Sequence, residues 1–175
     1  DDLPYWGGEV DCCINAWTVA NGVWLGADVS GIVDWFVEHR LADGGWNCEA
    51  ERGSTRGSFN TTICVLEALL AWEQAGHAEP AVTAARLRGE AYLLERQLLR
   101  RRSTGERITH DRQSGADWTQ FAFPAWWSYD VLRALEYFRS TGAPPDARVA
   151  EAVDMVASKR QPDGRWLLDT EHPGT

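Results

Sequence analysis

With 175 residues, 44% of them hydrophobic and 25% charged, the chain has the composition of a globular domain and not of a disordered segment. Its formal net charge of -9 argues against a surface that binds nucleic acid or anionic lipid, because phosphates would be repelled. No apolar run approaches the ~20 residues of a membrane span, and no basic stretch followed by an apolar one marks export, so a cytoplasmic protein is expected.

The elements follow in chain order. Asp11 to Leu25 carries Ile14, Trp17, Ala20 and Trp24 at helical spacing, and Gly26 closes it. Asp28 caps a second helix, in which Ile32, Trp35, Phe36 and His39 share a face. The third, Ser58 to Ala75, shows Phe59, Ile63, Leu66 and Leu70 and ends at Gly76. Pro80 opens a long fourth helix that runs to about Arg101, with Val82, Ala85, Gly89, Tyr92, Leu93 and Leu99 on its apolar side. Pro124 starts a fifth through Phe138, and a sixth runs from about Pro145 to Lys159. Alternating strand patterns are missing. The fold class expected is all-α: six helices in three antiparallel hairpins, forming one domain over residues 1–175.

Short connections alternate with long ones rich in Gly and Trp, which gathers the long loops at one rim of a helical array. Two of the long loops share wording. Asp43-Gly44-Gly45-Trp46 follows the second helix and Asp163-Gly164-Arg165-Trp166 follows the sixth, with Trp6-Gly7-Gly8 as a worn third copy. An Asp-Gly turn followed by an aromatic residue plants the ring against the helix ends. The repetition marks a stacked or closed helical array. Ten Trp are more than bulk hydrophobicity requires and point to an aromatic-lined cavity. The four Cys (Cys12, Cys13, Cys48 and Cys64) include an adjacent pair, unpromising for a disulfide framework, and are read as reduced.

These residues resemble a known superfamily. Gln161-Pro-Asp-Gly-Arg-Trp166 resembles the Gln–Trp repeat of squalene cyclases, one residue short. Leu41-Ala-Asp-Gly-Gly-Trp46 looks like the glycine–aromatic repeat shared by cyclases and protein prenyltransferase β subunits. Gly44-Gly45, Gly53-Ser-Thr-Arg56, Phe59-Asn60-Thr61 and Cys64 are similar to the protein farnesyltransferase β segment ending in the zinc-binding histidine, and Asp11-Cys12-Cys13 to its Asp-x-Cys element. The chain also looks like bacterial squalene-cyclase-like proteins. The resemblance implies an (α/α) toroid around a cavity for an isoprenoid, here an incomplete ring of about six helices whose exposed edge invites self-association. The chain departs from the pattern where the chemistry sits. Asn60 occupies the histidine position, Gly7, Gly8 and Glu9 stand where the diphosphate-binding basic residues belong, and no Asp-x-Asp-Asp or Asp-Asp-x-x-Asp motif occurs.

The candidate sites follow from both sources. Asp11, Cys13 and Cys48 are the candidate zinc ligands, since zinc takes thiolates and tolerates a carboxylate and a catalytic site needs three protein ligands. The alternative is that the thiols are small buried hydrophobes and Asp11 a helix cap. Trp46, Trp126, Trp127 and Tyr129 are candidate cavity residues, with Trp46 and the Trp126–Trp127 region facing one concavity; any one ring taken alone is more readily a packing residue. Arg56, before a helix N-terminus, suits an anionic group. The function expected is binding of an isoprenoid or other apolar ligand, with catalysis open. The alternatives are an (α/α) barrel acting on carbohydrate through acids such as Asp117, Asp130 or Asp169, and a non-catalytic toroid that binds a protein or lipid.

Overall fold

The computed structural model describes residues 5–9, 11–110, 115 and 117–171. Among them the regular structure is helical: α1 Cys12–Leu25, α2 Ser30–Glu38, α3 Phe59–Gln74, α4 Pro80–Leu94, α5 Val131–Ser140 and α6 Ala150–Ser158, with short 3-10 turns between. No sheet is present among these residues, only two isolated bridges. None of the described helices is long and apolar enough to cross a membrane.

Local chemistry sets the helix ends. α1 stops where Gly26 turns left-handed (φ 71°) and its N–H reaches back to the carbonyls of Gly22 and Val23. The Asp28 carboxylate accepts from the N–H and hydroxyl of Ser30, the first residue of α2. Ser58 and Asp130 cap α3 and α5, their side chains accepting from the N–H groups of Thr61 and Arg133.

Two ends differ from the sequence pattern. The apolar spacing that runs on to Arg101 is not helix beyond Leu94: Gln97 and Leu98 take positive φ (48° and 64°), and the Leu98 N–H returns to the Leu93 carbonyl. The reversal sends Leu98 and Leu99 into the core, both fully buried. Their hydrophobicity therefore serves a turn, not another helical face. The fifth helix begins at Val131 and not at Pro124, because Asp130 is extended (φ -142°, ψ 167°) to act as its cap. Trp126, Trp127 and Tyr129 consequently lie in the loop before α5.

The chain forms two compact units, Asp1–Tyr92 and Leu93–Thr175. In the first, α1 packs on α3, and Val19, Phe36, Trp46, Ile63, Leu66 and Leu69 are enclosed in the core. Gly89, in mid-α4, marks a close approach: a Cβ there would stand 2.6 Å from the Trp46 ring and 2.8 Å from Leu66. In the second, α5 packs on α6, and the core gathers Leu98, Leu99, Tyr129, Val131 and Ala134. Glu151 binds Arg100 (2.6 Å) and Arg107 (2.6 Å), which ties α6 to the segment after α4.

Candidate functional site

The residues with the most chemistry meet at the start of α1. Asp11 is extended and its carboxylate makes no capping bond, so Cys12 and Cys13 occupy the first turn directly after it. Cys48 comes from the loop before α3, where two adjacent threonines hold the strand of chain in place. Thr62 Oγ1 accepts from the Trp46 N–H (3.1 Å), and Thr61 Oγ1 accepts from the Cys48 N–H (3.4 Å). Asn47 fixes the far side, its amide donating to Ser54 Oγ and the Arg56 carbonyl.

This places Cys48 Sγ 3.1 Å from Cys13 Sγ, with the Thr61 hydroxyl donating to Cys48 Sγ at 3.5 Å. Cys12 also hydrogen-bonds Cys48, and Cys64 is close enough to act electrostatically on Cys13. Hydrogen bonds from Cys12 and then Cys13 pull the Cys48 thiol well below its usual range, against the opposing effect of burial. Donating to Cys48, with burial added, drives Cys12 and Cys13 up. Cys48 is the sulfur best placed to carry the negative charge, because it alone also accepts from Thr61.

A cavity of about 300 Å³ opens beside Cys12, walled by Trp35 and Glu38 of α2, by His39 just past its end, and by Ala50 and Glu51 of the 3-10 turn that starts at Cys48. Further along α1, a groove of about 100 Å³ runs between Trp17 and Ala20 and the α3 residues Cys64 and Ala68. The exposed face of α1 is largely apolar: Ile14, Trp17, Trp24 and Leu25 are all solvent-accessible, Trp24 at 83%, with Asn21 among them.

Among the candidate ligands, Cys13 and Cys48 meet, while Asp11 lies near enough to Cys13 to act on it only through space. Across the described residues, no three His, Cys, Asp or Glu side chains form a group that would hold a metal ion. As placed, Cys13 and Cys48 make a sulfur–sulfur contact. The aromatic candidates differ in burial. Trp46 is fully enclosed (0% exposed), and its indole N–H donates to the Phe36 carbonyl (2.8 Å). Tyr129 is equally buried, with its hydroxyl on the Leu98 carbonyl. Both rings are core. Trp126 and Trp127 remain partly exposed, in the other unit from Trp46. Arg56 is exposed on its loop, and the nearby Arg52 pairs with Glu49 at 3.0 Å.

The candidate acids have structural duties. Asp117 accepts from the N–H and hydroxyl of Thr119, Asp130 caps α5, and Asp169 holds Lys159 and the Phe121 N–H. Sequence reasoning missed Cys12 and Thr61 as members of the thiol group. The signal was there in the adjacency of Cys12 to Cys13 and of Thr61 to Asn60, the histidine position of the resemblance. No protein family, curated protein or solved structure shows a significant match to this chain.

Proposed function

We propose that this chain is a squalene-cyclase- or prenyltransferase-like protein of the (α/α) toroid kind that binds an isoprenoid or another apolar ligand along α1. One observation carries the reading: α1 is apolar on two faces. Its buried side packs on α3, yet Ile14, Trp17 and Trp24 stand in solvent along its other side, beside the apolar groove toward Cys64. A helix that needed only to fold would present mostly polar residues there, whereas here Asn21 is the polar residue among several large exposed apolar side chains, and such an exposed apolar surface marks a binding site. The indoles supply large, rigid contact area, and their π-faces suit an unsaturated chain. The reading is one of binding and assigns no reaction.

The test is titration of the protein with a dansylated farnesol analogue, followed by energy transfer from tryptophan. Saturable binding is expected, weakened about tenfold, equivalent to about 1.4 kcal/mol, in a Trp17→Ala/Trp24→Ala variant. If that variant binds as tightly as the parent, the ligand does not use α1. Saturable binding of an oligosaccharide with none of the isoprenoid would favour the carbohydrate alternative.

A further inference from the structure

We infer that Cys13 and Cys48 form an oxidisable dithiol site that a peroxide closes to a disulfide joining the start of α1 to the loop before α3. The inference is independent of what the α1 face binds. Geometry selects the pair. The sulfurs are 3.1 Å apart, so about 1 Å of travel brings them to the ~2.05 Å bond length of a disulfide. Each sits on a different element, 35 residues apart in sequence, and the Cys48 backbone is anchored by Thr61. Access selects the same two. Cys13 and Cys48 are half-buried, whereas Cys12 and Cys64 are only 4% and 2% exposed. Cys12 and Cys13 cannot bridge each other within the first turn of α1, because consecutive helical side chains point in different directions.

The chemistry balances with one peroxide. The Cys48 sulfur attacks a peroxide oxygen and breaks the O–O bond, giving a sulfenic acid and releasing the first water. The Cys13 sulfur then attacks the sulfenic sulfur, forms the S–S bond and expels the second water. The two thiols lose two electrons and two protons, and hydrogen peroxide is reduced to two waters. A thiol reductant reverses the bond by exchange. The bridge pins the turn that walls the cavity beside Cys12, so the oxidised form holds that cavity in a fixed shape.

Trypsin makes the test direct. Cys12 and Cys13 share a peptide ending at Arg40, Cys48 lies on the next one ending at Arg52, and Cys64 is on a third. Protein treated with hydrogen peroxide, alkylated and digested without reductant should yield the first two peptides linked, two hydrogens lighter than their sum. Electron-transfer fragmentation should place the bridge on Cys13. The oxidised protein should melt several degrees higher, as expected when a cross-link constrains the unfolded chain, and dithiothreitol should reverse the shift. Cys13→Ser should abolish both effects and Cys12→Ser should keep them. Should a serine variant fail to fold, fragmentation of the native protein still assigns the bridge. A bridge through Cys12, links only between molecules, or sulfinic acid on Cys48 without a bridge would overturn the inference.

Discussion

The loops around Trp46 and Trp166 are built alike and used differently. In each, the N–H opening the loop donates to the carbonyl just before the Trp (Leu41 to Gly45, 2.9 Å; Gln161 to Arg165, 2.7 Å). A glycine at positive φ turns the chain (Gly44 at 96°, Gly164 at 85°), and an aspartate accepts from the N–H two residues on. Each indole N–H then donates to a carbonyl ten residues back, Phe36 at 2.8 Å and Val156 at 2.6 Å. Trp46 nevertheless has no exposed surface, whereas Trp166 is 43% exposed, with the Arg160 guanidinium 5.6 Å from its ring. The motif makes its own geometry, and burial is conferred by what packs over it. Over Trp46 lie Leu66 of α3 and Gly89 of α4. Identical local hydrogen bonding should therefore carry very different energetic weight.

Truncating the rings gives the widest separation. Trp46→Ala is expected to cost about 3–5 kcal/mol, the range for emptying a core site of this size, and Trp166→Ala about 1 kcal/mol. Urea denaturation of the two variants checks the difference, and equal losses would break the comparison.

The aspartates sharpen it. Asp43 binds two N–H groups, Gly45 at 3.2 Å and Gly57 at 3.0 Å, and so joins its loop to the approach of α3. Asp163 accepts from Arg165 within its own turn. Asp43→Ala should cost about 1–3 kcal/mol and Asp163→Ala a few tenths, roughly, since only the first leaves a part-buried donor without its partner. Similar losses at both positions in the same denaturation assay would show that the bond to Gly57 contributes nothing.

The last effect is electrostatic and belongs to the second unit. Hydrogen bonding to Arg100 holds Glu151 below the ordinary carboxylate range. For Asp169, burial pulls upward but Lys159 and the Phe121 N–H prevail, so its value is also lowered. A depressed folded-state pKa contributes stability that is complete above the unfolded value, about 4.3 for Glu and 3.9 for Asp, and is lost as pH falls through the folded one. Acidification below about pH 4.3 should thus remove on the order of 1 kcal/mol, since both side chains are partly solvated. A Glu151→Gln variant should show a shallower loss in a pH series of thermal melts. An unchanged slope would mean that the ion pairs are screened out.

The all-helical class, the order of the six helices and the kinship of the two Trp loops were legible in the sequence, because periodicity and Asp-Gly punctuation are local signals. The end of α4 was not, since Leu98 and Leu99 continue an apolar spacing while their backbone reverses, and positive φ at Gln97 and Leu98 has no glycine to announce it. The aromatic run Trp126-Trp127-Ser128-Tyr129 was expected inside the helix opened by Pro124, yet the cap at Asp130 excludes it from α5. The Asp11-Cys12-Cys13 spelling pointed to the α1 end of the thiol site. Cys48, in the Gly-Trp loop that returns to the same rim, was grouped with Cys13 from the sequence and does meet it; the hold of Thr61 and Thr62 on that loop is a tertiary arrangement with no mark of its own in the chain.

Gly89 has a consequence for how this fold can change over time. A glycine in mid-helix is a liability of about 1 kcal/mol relative to alanine, yet here the missing methyl is the space the Trp46 ring occupies. Neither position can drift alone: a side chain at 89 collides with the indole, and a smaller ring at 46 leaves a void beneath α4. In diverged copies of this chain the two sites should covary, with any residue larger than glycine at 89 paired with a ring smaller than indole at 46, so that one position becomes a record of the other.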